Sequence, residues 1–339
     1  MFLFPAWAVL MPGRLKSGQA WVPWVFVFVV FTLMMGLRHE VGGDWGNYLP
    51  YLERAGRLDF DEAIRQPEAG YFLLNWVGAK WGGIHFVNLV CAVVLMWGTV
   101  RFCRQQPWPW LALAVAVPYM LIVVGMGYTR QAVALGFALL GLVQLGRGKT
   151  YQFVLLIALG AMFHKSAVLL VPIAALASSR HRLLTILMVG ALTALLYYLL
   201  LADNSEVMWE NYIVSRYQSQ GGLIRVLMNI VPAVLMLVFA KRIAPDGRER
   251  RLWIWMSILA IICFPLVLIV STAVDRVALY LIPLQLFVFS RLPRLARTSK
   301  TRTFLVAGTL FYYASVQFVW LNFGVHSQGW LPYQFMPLW

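Results

Sequence analysis

The stretch GLRHEVGGDWGNYLPYL, residues 36–52, sets Arg38, His39, Glu40 and Asp44 directly after an almost unbroken apolar run at 22–37. Ionisable groups interrupt apolar sequence again at Glu68 in EAGY, at Arg130 and Gln131 in YTRQ, at His164 and Lys165 in FHKS, and at Asp275 and Arg276 in STAVDR. A carboxylate or a neutral imidazole can accept a proton from a sugar hydroxyl, while arginines stabilise charge on a departing phosphate. Several arginines around one cavity would suit a diphosphate, whose oxygens accept bidentate hydrogen bonds from guanidinium groups. Asp44, Glu68 and His164 are therefore the candidate acid-base groups, and Arg38, Arg130, Arg216 and Arg276 the candidate anion contacts.

Each of these groups also has a plainer role open to it. Arg130 could snorkel to the membrane interface, and Asp44 could cap the helix that begins at GNYLPYLERA. Glu68 could pair with Lys80 or Arg65, and His164 could be a structural hydrogen-bonding residue. Asp275 and Arg276, adjacent on a helix, do not face one another, so each could serve a separate structural partner. Gly125 and Gly127, just before Arg130, could allow close backbone approach or simply helix packing.

The elements that carry these groups are apolar almost throughout. The 339 residues are 61% apolar and only 12% charged, and the mean hydropathy is +0.73, which excludes a soluble globular mixture and indicates an all-α polytopic membrane protein. Apolar spans are expected at 1–12, 21–37, 84–103, 108–124, 128–146, 151–162, 165–178, 183–201, 223–240, 252–271, 277–290 and 303–320. That makes about ten to twelve membrane segments, some short or broken, in a single transmembrane domain over residues 1–339. No removable signal peptide is expected before the first long run.

The net charge of +15 follows topology. With the 13–20 link in the cytoplasm, the connections on that side hold 18 of the 28 Lys and Arg residues and only two acids, Asp246 and Glu249. This is the positive-inside pattern, and it argues for anionic lipid rather than nucleic acid as the basic surface's neighbour. The candidate residues then fall on the opposite, outer side. Two outer connections carry most of them: 38–83, with interfacial helices and the anchors Tyr71, Trp76 and Trp81, and 203–222, which holds Arg216. Asp61 and Glu62 mark a second helix start within 38–83. FHKS lies between two apolar halves of about a dozen residues each, too short to cross separately, so its junction is expected to be recessed on the outer side.

No nucleotide-phosphate loop, His-Glu-x-x-His, Cys-x-x-Cys or nucleophile-elbow pentapeptide occurs, so metal-independent chemistry without a cofactor is expected. The three cysteines lie in or beside apolar segments and read as small buried hydrophobes. No internal repeat is visible.

The order of these motifs resembles the EpsG family of bacterial exopolysaccharide polymerases, a Wzy-like group. The resemblance rests on Arg38, Gly42, Gly43, Asp44, Tyr48 and Tyr51, then EAGY from Glu68, YTRQ from Tyr128, FHKS from Phe163, and Asp275-Arg276 with Tyr280, covering about residues 22–290. It implies an inner-membrane glycosyltransferase with a GT-C-like architecture that polymerises undecaprenyl-diphosphate-linked oligosaccharide repeat units on the periplasmic or external face. Donor and acceptor would both be lipid-linked, and direct displacement would invert the anomeric centre. On this resemblance Arg38, Arg130, Arg276, Arg216 and Lys165 serve the diphosphate. Asp44, Glu68 or His164 supplies the base or positions the acceptor. Tyr48, Tyr51, Tyr71 and Gln131 contact sugar. A flippase and a chain-length regulator of the assembly system are the implied partners. A lipid-linked glycan ligase and a glycolipid flippase are the rival readings, since a cationic site would serve either.

Overall fold

The computed structural model describes residues 1–11, 21–177 and 221–336, with positions 187, 190, 191 and 194 between them. The described chain is almost entirely helical. Five helices are long and apolar enough to cross a membrane: Gly83–Cys103, Pro109–Gly127, Thr129–Gly146, Gly247–Val267 and Ser299–Phe323. A sixth span is counted if Ser271–Leu279 and Ile282–Leu295, bent by 43° at the break, act as one. The protein is a polytopic helical membrane protein. Most of the expected span at 183–201 and most of the 203–222 connection, including Arg216, lie outside the described residues.

The contacts divide the chain into two compact units. The first comprises residues 1–137, 162–164 and 306–339. It begins with α1 (Leu3–Leu10) and α2 (Trp21–Gly36). The expected outer connection then supplies α3 (Trp45–Arg57), α4 (Phe60–Ile64) and α5 (Ala69–Lys80). A capping box between Asp59 and Glu62 starts α4, which satisfies amide groups that a helix N-terminus otherwise leaves open. At 12 residues α5 is about 18 Å long, too short to span, and the left-handed pair Gly82 and Gly83 breaks it from the next helix.

That next helix is α6 (Gly83–Cys103), against which α2 packs lengthwise. After it, α7 (Pro109–Ala116) continues through a π-helical segment, Val117–Val124, into the turn Gly125–Gly127. Pro118 lies at the start of the π segment, where its missing amide removes a helical hydrogen bond. The first half of α8 (Thr129–Gly146) crosses α6 at backbone contact: a Cβ on Gly98 would lie 2.2 Å from the Gly136 carbonyl oxygen.

The second unit, 138–161 and 165–305, holds α9 (Thr150–Ala161), a 3₁₀ turn at Lys165–Leu170, and α10 (Val171–Ala177). It continues with α11 (Gly222–Val238), α12 (Gly247–Val267), α13 (Ser271–Leu279), α14 (Ile282–Phe289) and the start of α15 (Ser299–Phe323). Here α11 packs on α12, α13 and α14.

Each unit gathers its connections by the side expected from charge. In the second unit Arg248 donates to the carbonyl of Arg147 at 3.2 Å, and Arg291 makes a two-pronged ion pair with Glu249 at 2.9 and 3.0 Å. Three connections expected to be cytoplasmic thus meet at one end. In the first unit the loops at 37–44, 68–71, 128–130, 162–164 and 324–336 are joined to one another, and these are the expected outer ones.

Candidate active site

The centre of the first unit's expected outer end is a guanidinium in an aromatic cage. Arg130, on the first turn of α8, pairs with Glu68 at 2.7 Å and donates to the Tyr51 hydroxyl at 3.3 Å. The rings of Tyr51, Tyr71 and Tyr48 stand 4.9, 5.8 and 6.0 Å from its central carbon. Cation-π attraction is strongest where water is kept away, and here the pair is mostly covered, with Arg130 and Glu68 side chains 27% and 12% exposed. Glu68 therefore pairs with Arg130, 62 residues away, instead of with Lys80 or Arg65. Lys80 instead lies over the Trp76 ring at 3.2 Å.

Local backbone explains why Glu68 reaches inward. It stands before α5 in the left-handed region, with φ 57°, a conformation that costs a residue with a side chain and persists where its surroundings hold it. The amide of Gly70 donates to the Met162 carbonyl at 3.1 Å, and that of Tyr71 to the same oxygen at 3.3 Å. Phe163 packs on the cluster of Tyr48, Tyr71, Ile84, Val87, Cys91 and Val133. The EAGY, YTRQ and Phe163-His164 stretches therefore meet.

Helix α3 brings the fourth motif. Asp44, Tyr48 and Tyr51 are spaced i, i+4 and i+7, which puts them on one face, and that face turns Tyr48 and Tyr51 to Arg130. Asp44 occupies the position before α3 without capping it through its side chain, although Asn47 donates to its carboxylate at 3.3 Å. It is part-exposed, whereas Tyr48 and Tyr71 are buried. Burial raises the pKa of the Tyr48 hydroxyl, and the negative charge of Asp44 adds to the rise.

Arg38 has a different environment from the one expected of a ligand contact. It is 1% exposed, and its guanidinium donates to the carbonyls of Val41 (3.0 Å) and Met35, to Asn88 Oδ1 (3.2 Å) and to Thr129 Oγ1 (2.8 Å). No carboxylate among the described residues pairs with it. Burial lowers its pKa to about 10, which leaves it a cation at neutral pH. Arg38 ties the end of α2 to α6 and to the residue preceding Arg130. Gln131, expected at the sugar, is buried, 2% exposed.

Lys165, Asp275 and Arg276 belong to the second unit. There Asp275 is clamped by a bidentate ion pair with Arg225, a residue the motif reading passed over. One turn further along α11, Asn229 donates to the Ala278 carbonyl at 2.9 Å and accepts from Gln285 at 2.7 Å, holding both sides of the α13–α14 break. Buried side chains thus support irregular backbone at membrane depth. Tyr280 receives a hydrogen bond from Ser166 at 3.3 Å, linking FHKS to the Asp-Arg motif. The signal for this ladder was Arg225 and Asn229, four apart in an otherwise apolar helix.

Among the described residues no three His, Cys, Asp or Glu side chains gather as metal ligands would. No curated protein and no solved structure matches the chain. A sequence model described as the EpsG family matches residues 21–335, a longer stretch than the five motifs span and one that takes in the segment after α15. That match carries a role in polysaccharide biosynthesis at the membrane, and its extent over nearly all of the chain makes this protein a member of the EpsG family.

Proposed function

We propose that the protein is a glycosyltransferase that polymerises undecaprenyl-diphosphate-linked repeat units on the outer face of the bacterial inner membrane. The observation that carries the site is the caged Arg130–Glu68 pair, because it gathers residues of three separate motifs, with Phe163 of a fourth packed against the tyrosines, in a chain of this family.

The acceptor hydroxyl attacks the donor's anomeric carbon and forms the new C–O bond. The bond from that carbon to the diphosphate oxygen breaks, and the leaving group departs with the electron pair. Asp44 takes the hydroxyl proton, which suits its part-exposed place on the face of α3 that turns Tyr48 and Tyr51 to Arg130. Arg130 holds the charge on the leaving diphosphate, exchanging its contact with Glu68 for phosphate oxygens, and Glu68 orients it when the site is empty. Displacement from one side inverts the anomeric centre. Arg38 assists by fixing the loop and adding positive potential, and His164 positions the acceptor. Tyr51 is the sugar-facing ring of the three tyrosines, and Arg276 and Lys165 are further diphosphate candidates. The GT-C-like architecture belongs to the same proposal.

Reconstitution with one defined lipid-linked repeat unit, without nucleotide or added metal, tests this reading. A mass ladder of repeat-unit multiples with release of undecaprenyl diphosphate is expected. A single transfer per acceptor would assign the protein to ligation, and transbilayer movement of intact donor without product would assign it to transport.

A further inference from the structure

The segment after α15 runs back across the outer end of the first unit and pairs with the loop that carries Arg38 and Asp44. His39 donates its amide to the Gln334 carbonyl at 3.0 Å, Met336 donates to Leu37 at 2.8 Å, and Gly42 donates to Gly329 at 2.6 Å. Arg38 and Phe335 form an isolated antiparallel bridge. The Tyr333 hydroxyl donates to the Met34 carbonyl at the end of α2.

Trp330 is the anchor of this strap. It is 3% exposed, and its indole N–H donates to the carbonyl of Ile122 at 2.9 Å, inside the π-helical segment whose widened turns leave carbonyls open to outside donors. Its ring takes the space of a side chain at Gly127 and lies in ordinary contact range of Gly43. A Cβ on Gly127 would lie 2.4 Å from the ring, and one on Gly43 3.5 Å from it. Beside them Gly42, at φ +110°, lies so close to the turn before α8 that a Cβ would stand 2.1 Å from the Met126 carbonyl oxygen. One indole therefore braces Gly43, next to Asp44, and Gly127, three residues before Arg130.

We propose that Trp330 is a positioning residue for the transfer reaction, setting the Asp44 loop against the Arg130 helix start through Gly43 and Gly127. The proposal rests on the assignment of Asp44 and Arg130 above. Trp330 itself touches neither substrate. A rigid two-torsion side chain packed between two backbones holds their separation, and a misplacement of about 1 Å between reacting groups can cost about a hundredfold in rate.

The test uses the full chain in lipid nanodiscs, with W330A, W330F, G127A and the double variant W330A/G127A. The first readout is amide hydrogen exchange over residues 37–44 without substrate, which does not depend on the reaction. W330A is expected to speed it about tenfold, and W330F, which keeps a ring but loses the bond to Ile122, about threefold. The second readout is steady-state turnover of a defined lipid-linked repeat unit. W330A is expected to lower kcat about a hundredfold with donor KM within about threefold, W330F to restore most of the rate, and the double variant to be no slower than the slower single one.

Unchanged exchange at 37–44 in both Trp330 variants overturns the strap, whatever the chemistry. Effects of W330A and G127A that multiply overturn the shared contact. An unaltered kcat in W330A beside faster exchange overturns the positioning role. Should W330A fail to insert, W330F and G127A decide by the same criteria. Failure of the functional reading has its own signature, an R130A variant that still polymerises while W330A releases the loop.

Discussion

Arg38 and Arg130 are the same residue type in two unlike settings, and the proposed roles follow those settings. Arg38 spends its donors on two carbonyls, an amide and a hydroxyl, so its removal strands several buried acceptors. R38M is expected to destabilise the protein by about 3–5 kcal/mol, seen as a lower unfolding midpoint in micelles. Arg130 is part-exposed and holds one carboxylate, with no hydrogen-bond partner at its Nε. R130A removes one member of a mostly covered ion pair, so it is expected to insert at a stability cost of about 1–3 kcal/mol, yet to lose polymerisation by about a hundredfold or more. Normal product length from purified R130A would remove it from the site. For Asp44, D44N keeps shape and loses proton acceptance, so turnover at saturating donor is expected to fall about 10²- to 10⁴-fold. An unaltered rate would take Asp44 out of acid-base work.

At the scale of elements, what positions chemistry is the pairing of short, irregular pieces with long helices. The 38–83 connection, expected from its composition to hold interfacial helices, holds three short helices, with α4 starting where Asp61 and Glu62 indicate. The face of α3 was legible as a spacing of Asp44, Tyr48 and Tyr51. Its partner was not, because the contact between Glu68 and Arg130 joins residues far apart in sequence and depends on a left-handed residue at the head of α5. Asp275 likewise needed a separate partner, but only packing of α11 on α13 identifies it as Arg225. Removing one member of a buried pair strands a charge, so R225M alone is expected to cost about 3–5 kcal/mol, while R225M/D275L recovers most of it. Equal unfolding midpoints for single and double variants would show that the pair is not what holds α13.

For the whole molecule, charge distribution sets an expected sidedness, and within each unit hydrogen bonds join connections expected on one side. Connections rich in Lys and Arg meet one another in the second unit, and the candidate site gathers with the expected outer loops in the first. The natural cysteines are buried, so new thiols report their side cleanly. In intact cells a membrane-impermeant maleimide should label D61C, on the outer connection, and should label K149C only after permeabilisation. The reverse pattern would invert the site's orientation and with it the use of an external lipid-linked donor.

Hydropathy and charge are sums over local sequence, and so the sequence alone determined the helical membrane class and set an expected side for the candidate residues. Ordered short motifs also identified the family, since they need no coordinates. Tertiary structure decided which candidates meet. Arg130 received Glu68 and a tyrosine cage, Arg38 became a buried tie, and Trp330, far along the chain, came to brace both loops. Those outcomes depend on close approach of distant segments, a backbone at Gly42 and the Trp330 ring at Gly127, and local sequence statistics carry no term for which distant segment will fill the space a glycine leaves.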